Sequence, residues 1–397
     1  MSKPLVNPGR RQWVLASALA GVGLDAVAGN EQPPQLPASR QPGLTLKPGA
    51  RRMRIAFGSC ARQEKPQPIW QAIAAVHPDL FVFLGDNFYA DAQSEATLRQ
   101  RYREFREFRE TAPLQAFRRA TPHVAIWDDH DFGDDDVGGE YAHKKLSQQL
   151  FCDEWGEPAE SPRRTRSGIY ESYRFEAGGR NVQLIMLDLR YNRTALIVDP
   201  ALKQDYRMMV LKAKLTGAPM TGWYVPNADP KASMLGEAQW AWLEQQLHEP
   251  ADVRIIGSSV QFAADGTGWE GWANFPLERQ RFVDLLKKTR AEGAFMISGD
   301  MHYADISRWP VSDGYPLWDI TSSGLTEVWD IPTPNRQRVS AVLAEQNFGL
   351  VDLDWSGGSL DIKLSICDVH GQVKLSQALR QDQLRFGENL SAKAGKS

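Results

Sequence analysis

An α/β domain built on buried strands is the fold class this sequence predicts, and three observations carry it. From Arg52 onward, short apolar runs of strand length alternate with helical patterns. The chain has 397 residues, 42% hydrophobic and 24% charged, which suits one large domain with a sizeable core, with or without a small appendage. Toward its end the pattern changes to alternating apolar and polar residues, as in half-exposed strands.

Residues 1–28 place the twin arginines Arg10 and Arg11 ahead of an apolar run and close on Ala26-Val27-Ala28. That order predicts a Tat-type export signal, so the Tat machinery is an expected partner and the protein is expected to be periplasmic or secreted. A basic amphipathic N-terminus is the plainer alternative. The apolar run is too short for a permanent transmembrane anchor. Residues 29–51, rich in Pro, Gln and Gly, read as a linker.

The core is expected over residues 52–335. Its clearest strands are Met53–Phe57, Leu80–Leu84, His123–Trp127, Val182–Leu187, Val253–Gly257 and Ala294–Ile297. Between Ala96 and Arg119, Leu98, Tyr102, Phe105, Leu114 and Phe117 recur at helical spacing. Arginines interleaved with aromatics there resemble a nucleic-acid surface, but Glu104, Glu107 and Glu110 neutralise them, so an amphipathic helix pair is the better interpretation. A net charge of −3 likewise gives no overall field for nucleic acid or an anionic membrane as main partner. Further helices are expected at Leu235–Leu247 and Pro276–Arg290. Lys203–Met234 lacks periodicity and reads as a lid or substrate-facing excursion. Residues 336–397 are expected to complete the same domain with a hairpin, Gly349–Trp355 and Leu360–Ile366, a strand at Val373–Leu375, and a helix.

Open α/β sheets present their sites beyond the carboxyl ends of strands, and here those positions are chemically dense. Gly58-Ser59-Cys60 follows the first strand and Gly85-Asp86-Asn87-Phe88-Tyr89 the second. Asp128-Asp129-His130-Asp131, running on to Asp134-Asp135-Asp136, follows the third, and Gly299-Asp300-Met301-His302 a late one. Like charges at about 4 Å repel by roughly 4 kcal/mol per pair at an effective dielectric of about 20, so carboxylates that meet need cations. Oxygen ligands suit hard ions, whereas thiolate, phenolate and imidazole suit Fe³⁺ or Zn²⁺. Three cysteines are too few for a disulfide framework; Cys152 with Cys367 is one open pairing, and Cys60 has a better use as a ligand.

Together, Gly-Ser-Cys, Gly-Asp-x-x-Tyr, Trp-Asp-Asp-His-Asp and Gly-Asp-x-His resemble the alkaline phosphatase D (PhoD-like) family of calcineurin-like metallophosphoesterases, over about Arg52 to Asp330. The resemblance implies a four-layer α/β/β/α sandwich with two mixed sheets, and a phosphodiesterase or phosphatase that attacks phosphorus in line with a metal-bound hydroxide. It implies Fe³⁺ held by Cys60, Asp86, Tyr89 and His302, and Ca²⁺ held by Asp86, Asp300 and an acidic-loop residue assigned to Asp135. Zn²⁺ or Mn²⁺ are the other candidate metals. His130 would contact the phosphoryl group or protonate the leaving oxygen. Asp129 would be its tautomer partner or a ligand. Arg190 would fork onto a phosphate oxygen or pair with Asp188. Gln261 would lie near the site, and Trp269, Trp272 and Phe275 would line its mouth or pack in the core. The expected substrate is a phosphoester small molecule, phospholipid or envelope polymer. Two other classes remain open: a non-catalytic calcium-binding or ligand-binding module on the same scaffold, and a zinc hydrolase of other esters.

Overall fold

The computed structural model describes residues 50–111, 113–331 and 333–387. The export signal and nearly all of the linker expected at the N-terminus lie outside the described residues.

In chain order the strands and helices begin with β1 (Arg52–Gly58), α1 (Ile69–Ala75), β2 (Leu80–Leu84), α2 (Glu95–Arg109), α3 (Leu114–Ala120), β3 (His123–Ile126), α4 (Asp129–Phe132) and α5 (Lys144–Glu154). There follow β4 (Glu171–Ala177), β5 (Arg180–Met186), β6 (Ile197–Val198), α6 (Tyr206–Thr216), β7 (Tyr224–Val225), α7 (Glu237–His248) and β8 (Val253–Ser258). The chain ends with α8 (Pro276–Thr289), β9 (Ala294–Ser298), β10 (Ala304–Trp309), β11 (Leu317–Ser322), β12 (Asn347–Asp354), β13 (Asp361–Asp368) and β14 (Val373–Arg380).

Two six-stranded mixed sheets face each other with helices outside, the α/β/β/α arrangement. One runs β14-β13-β12-β1-β2-β3 and the other β10-β11-β9-β8-β5-β4. In the first sheet the parallel strands β1, β2 and β3 form one end, with β3 at the edge; in the second, β5, β8, β9 and β11 are parallel and occupy the interior. Strands buried on both faces must be apolar at every position, and β2, Leu-Phe-Val-Phe-Leu, is buried throughout. The late strands β12, β13 and β14 add antiparallel to β1, as the alternation predicts. A single apolar core takes side chains from both sheets.

Outside the first sheet, α1 and α3 are locked by Trp70, which stacks on Phe117 at 5.2 Å and meets Phe81 edge-on. The stretch 96–119 is the helix pair α2 and α3. Ser94 caps α2, its hydroxyl accepting from the Thr97 amide at 3.2 Å, and Leu98, Tyr102 and Phe105 form the buried stripe. The buried arginine of α2, Arg109, pairs with Glu154 of α5 at 2.5 Å.

Several expectations need correction. Lys203–Met234 contains a helix, α6, because apolar residues on two of its faces blur the single stripe that sequence periodicity detects. Strands β4, β10 and β11 went unrecognised; the last two bury Asp305 and Asp319, which interrupts their apolar runs. The helix expected in residues 336–397 is, among the described residues, only a 3-10 turn at Gln381–Leu384. Cys152 and Cys367 are separate buried thiols, not a disulfide.

Candidate metal centre

Loops leaving the carboxyl ends of β1, β2, β3, β5 and β9 converge where the two sheets meet. Their backbones depart from the regular menu: Cys60, Asp86, Asp300 and His302 all have positive φ, at 65°, 50°, 74° and 59°. Outside glycine that conformation is uncommon, and such residues cluster where function dictates the geometry. Two glycines allow the loops to approach. Gly85 has φ of 101°, and a Cβ on it would fall 2.5 Å from that of Asp128; one on Gly299 would fall 2.5 Å from Ser59 Oγ.

Cys60 Sγ lies 3.6 Å from Asp86 Oδ2 and the same distance from the Asp300 carbonyl. Tyr89 Oη lies 3.1 Å from His302 Nε2. One donor atom each from Cys60, Asp86 and His302 falls within a 4.8 Å group. Three further groups of that size are Asp86-Asp129-His130, Asp128-Asp129-Asp300 and Asp129-Asp135-Asp136. Asp86 thus belongs to two groups and Asp129 to three, so sulfur, nitrogen and phenol donors grade into a carboxylate field through shared acids.

The loops are tied from behind by Asp131, whose carboxylate accepts from the amides of Asp86 and Asp128 and from the Asn87 side chain. The His130 ring lies against Tyr89, ring centres 4.1 Å apart and planes tilted by 37°, and its Nδ1 bonds the Asp91 carboxylate. Its Nε2 faces Asp129 and Asp135, each 3.9 Å away. The partner that fixes the ring is therefore Asp91, and Asp129 stands among the other carboxylates. The loop residue Asp136 accepts from Tyr224 Oη at 2.5 Å, and its backbone carbonyl accepts from Arg193 Nη2.

Arg190 meets Asp188 only through its backbone amide, and its side chain goes elsewhere. Fully buried, its Nε donates to Asp128 Oδ1 at 2.5 Å, its Nη2 is 2.6 Å from Glu270 Oε2, and its Nη1 donates to Glu270 Oε1 at 2.8 Å. No fork is left for phosphate, because carboxylates occupy it. Asp188 instead accepts from the backbone amides of Arg190, Tyr191 and Ile169. The Gln261 side chain donates to Asp305 and Thr321 inside the second sheet. Of the aromatic loop, Trp272 and Phe275 are core, whereas Trp269 lines a small cleft with Asp136, Glu270, Asp300, Met301 and Trp329.

Electrostatics favour added positive charge. Burial pushes the Asp86 carboxyl far above the usual range, and the Asp129 charge adds to it. Burial and then Asp86 raise the Cys60 thiol, and burial with Cys60 and Asp86 raises the Tyr89 phenol. Asp128 is pushed up to about 8 by burial, with Arg190 opposing. Burial disfavours charge on His130, but Asp129, Asp86 and Asp91 outweigh it and hold the ring well above the imidazole range. A thiol, a phenol and carboxyls whose ionised forms the protein alone does not support, grouped with histidine nitrogens, fit resident cations.

The sequence did not single out Asp91, Asp128, Asp131 or Glu270 for roles. Asp91 lies in the same loop as Asp86 and stood in plain view; Glu270 has no local signal, since its meaning is its distance from Arg190 and Arg193.

Two facing mixed sheets with acids, histidines and a thiol at their strand ends define the calcineurin-like metallophosphoesterase class. A profile of PhoD-like phosphatases matches residues 55–347, and the chain belongs to that family. Alkaline phosphatase D of Bacillus subtilis (strain 168) is 23% identical over 291 residues, which are 64% of this chain and 47% of that protein. The chain thus spans about half the length of the curated relative it matches. A solved structure of PhoD superposes with a TM-score of 0.60 at 18% identity, covering 85% of this chain and 72% of that one. A dimetal phosphatase from Danio rerio aligns with a TM-score of 0.46 at 12% identity over 86% of this chain and 100% of its own.

Proposed function

We propose that this protein is an exported, metal-dependent phosphoester hydrolase acting on a phosphodiester or phosphomonoester. The observation that carries the proposal is that Asp86 belongs both to the Cys60-Asp86-His302 group and to a group with Asp129, the carboxylate that also groups with Asp300 and with Asp135. Such sharing is what two adjacent cations require. Cys60, Asp86, Tyr89 and His302 would hold one, for which Fe³⁺ suits the thiol and phenol donors. Asp86, Asp129, Asp135 and Asp300 would hold the other, for which Ca²⁺ suits an all-oxygen set. When bound, such ions acidify water and neutralise the negative charge on a phosphoryl group.

The chain's own residues supply the rest. Asp91 fixes Nδ1 of His130 and leaves Nε2 to hand a proton to the leaving oxygen. Arg190 serves as a positioning residue, holding Asp128 and Asp129 in place from a buried ion network anchored by Glu270. Trp269 and Trp329 flank the cleft and narrow water access. Export rests on Arg10-Arg11 and the apolar run behind them. No helix among the described residues is long and apolar enough to cross a membrane.

The test is elemental analysis together with turnover of a chromogenic diester and a chromogenic monoester. Cys60→Ser and His302→Ala should each lower metal content and cut turnover by about 100-fold or more, as loss of a ligand does where even supporting residues cost about 10- to 100-fold. Unaltered metal and turnover in both variants would remove the proposal.

A further inference from the structure

Among the described residues, nine large apolar side chains are exposed, and five of them fall between residues 197 and 216: Ile197, Leu202, Met208 (59% exposed), Leu211 (50%) and Leu215 (77%). Three of these belong to α6. At about 100° per residue, Tyr206, Met209, Val210 and Ala213 share one side of that helix. They pack on Met220, Trp223, Trp269, Met301 and Trp329. Met208, Leu211 and Leu215 recur at steps of three and four and lie on the opposite side, in solvent.

The charges follow the same geometry. Arg207 and Lys214 run along one edge of the outward stripe and Lys212 along the other, all exposed. The helix carries no acidic residue over Tyr206–Thr216; in the segment before it, Asp199 accepts from the Ala201 amide and Asp205 caps the helix, accepting from the amides of Arg207 and Met208. Lys214 meets Asp330 at 3.1 Å, but both are more than half exposed and such pairs hold weakly. A helix anchored by one apolar face needs no second one. An outward apolar stripe edged by basic residues is the pattern of helices that lie in the plane of a membrane interface.

We infer that α6 and the segment leading to it from Ile197 form a docking surface for a phospholipid bilayer containing anionic lipid. Arg207, Lys212 and Lys214 meet headgroup phosphates while Met208, Leu211 and Leu215 enter the acyl boundary. The net charge of −3 conceals this patch, since it averages over the chain. A second copy of the chain fits less well, because self-pairing about a two-fold axis sets the basic edges against each other. The inward face of α6 rests on Trp269, Met301 and Trp329, which line the cleft beside Asp136 and Asp300, so docking holds the cleft close to the bilayer. Membrane binding stands apart from the proposed hydrolysis and is measured without turnover.

Co-sedimentation of the full chain with vesicles of phosphatidylcholine alone, and of phosphatidylcholine with phosphatidylglycerol, tests the inference. Binding is expected to the anionic vesicles and to fall with added salt. The variant carrying Met208→Ser, Leu211→Ser and Leu215→Ser should lose about tenfold or more in partition, and the pair Arg207→Glu with Lys212→Glu should lose a comparable factor along with the salt dependence. Melting curves and turnover of a soluble chromogenic ester should stay unchanged in both. Failure of the wild type to bind, or equal binding by wild type and the triple variant, would overturn it. So would a concentration-dependent dimer that the triple variant abolishes while vesicle binding is absent, which would assign the stripe to a second copy.

Discussion

His123 illustrates how the surroundings of a structural side chain make its stability contribution depend on pH. A histidine in a strand, without chemical neighbours, reads as structural, and it is buried in β3 with Nδ1 bonded to the Thr121 carbonyl. Burial, with the nearby Arg118 charge, lowers its pKa to about 4. The unfolded chain binds a proton near the ordinary value of about 6.5, so as pH falls from there toward 4 the denatured state gains protons that the native state refuses. Stability is therefore intact above that window and declines within it, by as much as roughly 3 kcal/mol. His123→Leu should flatten the difference between urea unfolding free energies near pH 7 and about pH 5; an equally steep loss in the variant would exclude this origin. At the same scale, Asp91 and Asp128 acquire roles only from His130 and Arg190, their partners across loops.

Among the elements, the strand-to-loop junctions depend most on exact residue size. Gly85, just after β2, has φ of 101°, and Asp128, two residues past β3, fills the space a Cβ would need. Gly85→Ala combines a strained backbone with a collision between two site loops. It should destabilise the protein by about 2–4 kcal/mol, read as a lower urea midpoint with an unchanged slope, and should lower turnover as well. A neutral effect would mean the loops yield more readily than this contact implies. The apolar runs of β1, β2, β3, β5, β8 and β9 were legible because parallel strands between layers are apolar along their whole length. Helix α6 was not, because its two apolar stripes cancel as a periodic signal, and β10 and β11 were not, because Asp305 and Asp319 are buried within them with partners distant in sequence.

For the whole molecule, the centre joins two sheets, so cations bound there act as a clasp between halves of the fold. Ligands that bind only the native state stabilise it by mass action, about 3 kcal/mol at a hundredfold excess over the dissociation constant. Removing metal with a chelator should lower the calorimetric melting temperature by several degrees, and readdition should restore it. A melting temperature indifferent to chelation would show that the loops hold themselves.

The sequence alone determined the class of fold, most of the parallel strands that build it and the four chemically dense strand ends, because burial periodicity and backbone chemistry are local properties written residue by residue. Only the tertiary structure decided that Asp91 holds His130, that Arg190 is enclosed by Asp128 and Glu270, and that α6 turns a second apolar face outward. Those are relations across long sequence separations, set by how the two sheets pack, and no local pattern encodes a distance between remote residues.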